Sequence, residues 1–201
     1  MRSRRVLLIV LAVGLLAGIA AAVVASRTEP AAIVDAVGSP DRGPLPVEAD
    51  SAPAVQAASW LNTPDGAPVD VDGKVVLYEF WTFGCSNCRA VLPHVKAWYD
   101  RYADDGLVVL SVHTPEFDYE ADPDNVAGFV EEQDIEFPVA LDPDRTVWQA
   151  FGNHYWPAFY LHDAEGQRRL THFGEGSYDE TEDAIRELLG VDPGSPRAEA
   201  V

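Results

Sequence analysis

The sequence predicts an α/β domain with a mixed central β-sheet and helices on both faces of that sheet. Two short, nearly continuous apolar runs, residues 75–80 and 107–112, are typical of strands buried on both faces. Segments with helical spacing of apolar residues lie between the predicted strands, which is the order found in crossover units. Two further strands, 158–161 and 168–173, are separated by a turn and predict a closing hairpin.

The helices are predicted from apolar spacing and from start signals. Residues 85–102 carry apolar side chains every three to four positions, and Pro93 should kink this helix. Acidic or turn residues start or precede three further predicted helices, at 124–132, 142–151 and 178–189. A short strand is expected at 137–141.

The start of the chain, residues 1–26, predicts a transmembrane signal anchor. Arg2, Arg4 and Arg5 precede an uncharged run of apolar and small residues that is long enough to cross the apolar core of a bilayer as a helix. Arginines before such a run keep the N-terminus in the cytoplasm and place the rest of the chain outside. The alternative is a signal peptide cleaved near residue 25, which would leave a secreted or periplasmic protein.

Composition divides the remainder into three parts. Residues 27–58 are rich in Ala, Pro, Gly and Asp without a sustained period, and they predict a disordered tether. Residues 59–190 are long enough to form one domain with its own core. Residues 191–201 are expected to form a flexible tail.

The charge of the chain is strongly negative, with a formal net charge of −19. The first 26 residues hold three of the 14 basic residues and none of the 33 acidic ones, so the remainder carries a formal charge of −22. This charge excludes a nucleic-acid-binding surface. It is compatible with neutral or basic protein partners, with life at high salt, or simply with high solubility.

The only two cysteines form a Cys85-Ser86-Asn87-Cys88 motif between a predicted strand and a predicted helix. A disulfide this local closes too short a loop to stabilise the fold much. Two thiolates leave a zinc site half filled, and haem attachment would need a histidine where Arg89 follows the motif. The motif therefore predicts a redox-active dithiol and disulfide.

The position of each cysteine predicts its role. Cys85 lies at the helix N-terminus, where unpaired N–H groups and the helix dipole favour the thiolate, so we expect it to be the attacking nucleophile. Cys88 lies one turn further along the same helix face, and we expect it to resolve the mixed disulfide.

Beyond the motif, residues 60–190 resemble the thioredoxin-like superfamily, and specifically its membrane-anchored, extracytoplasmic branch (TlpA/ResA-like). Several stretches are most similar to the redoxin domain of DipZ proteins. These stretches are Trp81-Thr82-x-x-Cys85-x-Asn87-Cys88, His113-Thr114-Pro115-Glu116-Phe117, Tyr155-Trp156-Pro157 and His172-Phe173-Gly174-Glu175-Gly176. The resemblance implies a thioredoxin-like fold and a thiol–disulfide oxidoreductase.

The resemblance also implies roles for four further residues. Glu79 would be a buried carboxylate that accepts the proton of Cys88, unless it is a strand-edge residue facing solvent. Pro157 would be cis and leave neighbouring backbone groups free to pair with substrate, the alternative being a trans-proline at a strand start. Trp156 and Trp81 would contact substrate beside the dithiol, or serve only in core packing.

These expectations combine into an enzyme that reduces disulfides of exported proteins, for example in cytochrome c maturation. Since the chain has one apolar segment where DipZ proteins have a multi-helix membrane domain, a separate membrane electron donor is expected. The alternatives are an oxidant that forms disulfides, a thiol peroxidase, for which Thr82 precedes Cys85 at a suitable spacing, and a Cu(I)-binding module. No cofactor and no resident metal are expected, because the histidines are dispersed.

Overall fold

The computed structural model of the chain describes residues 44–49 and 51–200. The predicted signal anchor, 1–26, and the first part of the predicted tether lie outside these residues. Among the residues described, no helix has both the length and the apolar character needed to cross a membrane.

The described part of the chain contains a six-stranded mixed sheet in the order β1-β4-β3-β2-β5-β6. The central strands β2, β3 and β4 run parallel, while β1, β5 and β6 pair antiparallel to their neighbours. The strands in chain order are β1 (Ser59–Leu61), β2 (Val75–Trp81), β3 (Leu107–His113), β4 (Val139–Leu141), β5 (Ala158–His162) and β6 (Arg168–Phe173).

Four α-helices and two short 3-10 turns connect these strands. The helices are α1 (Ser86–Tyr102), α2 (Pro123–Glu132), α3 (Thr146–Ala150) and α4 (Tyr178–Leu189), and the 3-10 turns are Pro64–Gly66 and Asp118–Glu120. Each predicted helix and strand is present, and Pro93 lies inside α1 as expected. Their ends differ by at most two residues, except that α3 begins at Thr146, four residues after the predicted start at Asp142. The mixed sheet with helices on both faces is thereby confirmed.

The two faces of the sheet build two separate cores. Side chains alternate along a strand, so Leu77 and Trp81 of β2 face one core and Tyr78 and Phe80 face the other. The first core includes buried side chains of α1, α2 and α4, and the second is covered by α3. Because β2 is buried along its whole length, its C-terminal end is a rigid support for whatever follows it.

Sequence reasoning missed strand β1. It has three residues, of which only Trp60 is buried. It pairs antiparallel with β4, in which the partner of Trp60 is Ala140, 80 residues later in the chain. Such a short segment carries no period, and its conformation is fixed by the partner strand rather than by its own sequence.

The last part of the expected tether is not free, because residues 44–49 and 51–58 lie against the domain. The Glu48 N–H donates to the Arg168 carbonyl at 2.7 Å, and the Arg168 N–H donates to the Ala49 carbonyl at 2.9 Å. Val55 and Ala57 pack against the second core. Composition alone did not reveal this, since the contacts are made by backbone groups and small side chains.

The expected flexible tail is also packed against the domain, through Ala198. The buried guanidinium of Arg186 on α4 donates to the carbonyls of Asp192 and Ser195 at 2.9 and 3.1 Å. Arg197 returns to α4 and pairs with Glu182 and Asp183. The composition of this segment favours disorder, but two arginines hold it in place. Arg186 donates hydrogen bonds to its backbone carbonyls, and Arg197, which belongs to the segment, pairs with carboxylates of α4.

Candidate active site

The two cysteines lie at the C-terminal end of the central strand β2, where the chain turns into α1. Cys85 is half-buried at the N-cap of α1, whereas Cys88 is only 3% exposed and belongs to the first core. The two residues form a disulfide, with their Cα atoms 5.3 Å apart. One sulfur is therefore accessible to a partner and the other lies behind it.

The local backbone presents Cys85 to the positive end of the helix. Its Sγ accepts a hydrogen bond from the Cys88 N–H at 3.2 Å, and its own N–H donates to the Thr82 carbonyl at 3.2 Å. Unpaired N–H groups at a helix start carry a partial positive charge, which stabilises a thiolate. In the reduced protein the same geometry would favour ionisation of Cys85.

Glu79 lies on β2, on the sheet face that also carries Leu77 and Trp81 and that packs against Cys88. It is 2% exposed, and burial raises the pKa of Glu79 to about 7, although a hydrogen bond from Ser111 opposes the shift. Ser111 is its partner across the β2–β3 pairing, and its hydroxyl donates to Glu79 Oε2 at 3.1 Å. The carboxyl group is thus buried on the face of the sheet that packs against Cys88, and it does not face solvent.

The loop before β5 carries the predicted proline. The Trp156–Pro157 peptide bond is cis, as the sequence predicts. The Trp156 indole N–H donates to the Thr114 carbonyl at 3.0 Å, and the ring packs on Trp148 at 4.2 Å between centroids. Arg145 lies over the same indole ring at 5.1 Å from its centroid. A direct role of Trp156 in substrate binding stays a prediction.

Trp81 ends β2 and is buried in the first core with Cys88. Its ring meets His113 edge to face at 4.9 Å and lies 5.6 Å from Phe129. These contacts account for Trp81 as a packing residue of the core that also contains Cys88, and its contact with substrate stays a prediction.

Sequence reasoning missed the role of His113, which lies beneath the loop that precedes Cys85. Burial lowers the pKa of His113 to about 4, so its ring is neutral near pH 7. The Phe83 N–H donates to His113 Nε2 at 3.4 Å, and the Thr82 hydroxyl lies 3.3 Å from the same nitrogen. The sequence offered only dispersed histidines, and the β2–β3 register, which pairs Trp81 with His113, brings this one to the loop.

Glu120 is the second residue that sequence reasoning missed. It ends the 3-10 turn Asp118–Glu120, is 1% exposed, and accepts the Gly84 N–H at 3.1 Å. Its neighbours in sequence are mostly acidic or aromatic, so nothing in the pattern distinguishes it from a surface carboxylate.

Two other histidines lie on the strands β5 and β6. His162 is buried at the end of β5, and His172 lies on β6 beside Phe159. In the part of the chain that the structure describes, no three His, Cys, Asp or Glu side chains are grouped as metal ligands would be.

With this geometry in view, comparison with known proteins identifies the family. The AhpC/TSA family profile matches residues 50–169, and the chain belongs to this family. The solution structure of a thioredoxin-like protein in its oxidized form is 28% identical, with a TM-score of 0.61, and the match covers 72% of this chain and 98% of that one.

Two relatives with curated names show which members of this family the chain is similar to. DipZ of Mycobacterium bovis is 48% identical over 133 residues, which are 65% of this chain but only 19% of DipZ. The thiol-disulfide oxidoreductase YkuV of Bacillus subtilis is 35% identical over 118 residues, which are 59% of this chain and 78% of YkuV. The chain is therefore a thioredoxin-like protein of the thiol–disulfide oxidoreductase type, as the resemblance implied.

Proposed function

We propose that this protein is a membrane-anchored, extracytoplasmic thiol–disulfide oxidoreductase that reduces disulfides in exported proteins, such as apocytochrome c before haem attachment. The observation that carries the proposal is the asymmetry of the dithiol. The Cys85 sulfur lies half-exposed at the positive end of α1, while Cys88 lies buried directly behind it. A partner disulfide can reach the first sulfur, and only the second can then complete the exchange.

The reaction proceeds in two exchanges. The Cys85 thiolate attacks one sulfur of the substrate disulfide, forms a mixed disulfide and releases the other substrate sulfur as a thiolate. Cys88 then loses its proton to Glu79 and attacks the Cys85 sulfur, which releases the second substrate thiolate. Two electrons pass from the dithiol to the substrate, whose thiolates take protons from water, and the Cys85–Cys88 disulfide remains.

The buried carboxyl group suits the second exchange. A base is effective when its pKa lies near the working pH, and burial brings Glu79 into that range. We assign to Trp156 and Pro157 the docking of an extended substrate segment next to the dithiol. These roles rest on the position of both residues in the loop before β5, together with the family resemblance.

The proposed location rests on the sequence. Three arginines precede an uncharged apolar run that is long enough to span a bilayer, which orients the domain away from the cytoplasm. Disulfides form and persist on that side of the membrane, so exported proteins would supply the substrates there. Each turnover leaves the enzyme oxidised, and we propose that a separate membrane protein returns the electrons.

Three assays on the reduced full-length protein test this function. We expect a protein disulfide such as that of insulin to be reduced with dithiothreitol as electron source, faster than dithiothreitol alone reduces it. Hydrogen peroxide should be consumed no faster than by free cysteine, and Cu(I) should not bind with one-to-one stoichiometry. Rapid peroxide turnover or tight copper binding without insulin reduction would replace the proposal with the peroxidase or the copper-binding function.

A further inference from the structure

The side chain of Glu120 accepts a hydrogen bond from the loop that precedes Cys85. Glu120 lies 35 residues after Cys85 in the chain, and its carboxylate is almost fully buried. Its Oε1 accepts the N–H of Gly84, the residue directly before Cys85, at 3.1 Å. Its Oε2 accepts the N–H groups of Glu116 and Phe117 at 2.6 and 3.0 Å.

These three hydrogen bonds connect two separate segments. One segment is the loop between β2 and α1, and the other is the connection between β3 and α2. Hydrogen bonds to an ionised carboxylate are about twice as strong as those between neutral groups. Burial is the largest single effect and would raise the pKa of Glu120, but the N–H groups of Phe117 and Glu116, the Thr82 hydroxyl and the nearby His113 together lower this pKa below its usual range. The carboxylate is therefore ionised near neutral pH.

The N–H group of Phe83, the residue before Gly84, also has a side-chain partner from the segment that contains Glu120. The Phe83 N–H donates to the neutral ring of His113, as described above. The two peptide N–H groups that precede Cys85 are therefore both held by side chains of the segment 113–120. The orientation of the nucleophile at the helix start consequently depends on that segment as well as on α1.

The absence of a side chain at Gly84 leaves the space that the Glu120 carboxylate occupies. A Cβ added at Gly84 would overlap Glu120 Oε1 and would lie 2.7 Å from the Tyr119 hydroxyl oxygen. The φ of Gly84 does not lie in the left-handed region, so its backbone conformation would accept an alanine. Glycine is needed here because the carboxylate approaches the backbone closely.

We propose that Glu120 is a positioning residue for Cys85, and that it acts by holding the Gly84 amide so that the sulfur stays aligned with the N-terminus of α1. This inference rests on the proposed function, because the alignment matters for thiol–disulfide exchange. Glu120 does not touch the reacting sulfurs. Its effect would pass through the backbone of Gly84.

The test is the pH dependence of Cys85 alkylation by iodoacetamide in the reduced full-length protein. Loss of alignment raises the midpoint of this profile, whereas simple loss of a nearby negative charge would lower it. We expect Glu120→Gln to raise the midpoint by about one pH unit, which slows alkylation about tenfold below the midpoint. Glu116→Gln, which changes an exposed carboxylate of the same segment, is the matched control and should leave the midpoint in place.

Gly84→Ala gives an independent check, since it keeps the charge of Glu120 but displaces the carboxylate. It should raise the midpoint in the same way, even if Glu120→Gln fails to fold. In the double variant Gly84→Ala with Glu120→Ala, the midpoint should rise no further than in Glu120→Ala alone, because both substitutions remove the same contact.

An unchanged or lowered midpoint in both Glu120→Gln and Gly84→Ala would overturn the positioning role. Insulin reduction is measured in parallel, to separate this inference from the proposed function. A wild-type protein that fails to reduce insulin refutes the function, whereas the alkylation profile still reports on the alignment of Cys85.

Discussion

Replacing Cys88 with serine should convert the protein into a trap for its substrates. Cys85 keeps its half-exposed position at the start of α1 and still attacks a partner disulfide, but no second thiol remains to resolve the product. Turnover of insulin should fall at least about 1000-fold, while a mixed disulfide accumulates. The adduct is measured by mass spectrometry and by gel electrophoresis without reductant.

Two further variants serve as the comparison and the control for this experiment. Cys85→Ser should lose both turnover and adduct, because the remaining thiol of Cys88 is buried. Ser86→Ala changes an exposed side chain between the cysteines and should keep activity within about twofold. If Cys85→Ser formed the adduct as readily as Cys88→Ser does, the assigned roles of the two cysteines would be reversed.

Replacing Glu79 with glutamine should change both stability and catalysis. In the oxidised folded protein the pKa of Glu79 is raised to about 7, whereas the unfolded chain has an ordinary glutamate. Between these two values the folded state holds a proton that the unfolded state has lost. The contribution of Glu79 to the free energy of unfolding therefore falls as pH rises from about 4.5 to about 7 and is constant above that range. His113 and His162, whose pKa burial lowers to about 4, contribute in the opposite direction below about pH 6.5.

The stability effect is measured by denaturant unfolding of the oxidised proteins at several pH values. At pH 8 the ionised, buried carboxylate costs about 3 kcal/mol, and Glu79→Gln should recover most of this. The stability of the variant relative to wild type should therefore rise between about pH 4.5 and pH 7, because the contribution of Glu79 to the slope is lost. Glu136→Gln, at an exposed position, should keep the slope. A Glu79→Gln variant that kept the wild-type slope would show that the group titrates normally in the folded protein.

The catalytic effect of the same variant should fall on one step. We expect resolution of the mixed disulfide to slow about 100-fold, because Cys88 loses its proton acceptor. Formation of the mixed disulfide should change little, since Cys85 is already favoured as a thiolate by the helix N-terminus. Rapid mixing of the reduced protein with a small disulfide separates the two steps, and equal slowing of both would contradict the role of Glu79.

Local sequence signals were sufficient for most of the fold and for the dithiol. Strands such as Val75–Trp81 are recognisable because burial on both faces demands an unbroken apolar run. The motif of Cys85 and Cys88 carries its chemistry within four residues. Glu79 and Pro157 depended on family spacing, since a single carboxylate or proline has several ordinary explanations.

What sequence reasoning missed depends on contacts between distant segments. Strand β1 is defined by its pairing with β4, and the positions of residues 44–49 and 51–58 are defined by contacts with β6 and the second core. Glu120 becomes informative only when the fold places it below Gly84. No local pattern distinguishes such a carboxylate from the many exposed ones in a chain of formal charge −19.

Whether the dithiol works as a reductant depends on the reduction potential of the Cys85–Cys88 pair. The full-length protein is equilibrated against mixtures of reduced and oxidised dithiothreitol or glutathione, and the fraction of disulfide is measured after acid quenching and alkylation. A potential near the thioredoxin value, about −270 mV, is the result we predict. A value near that of a strong oxidant, about −120 mV, would contradict the account and assign the protein to disulfide formation.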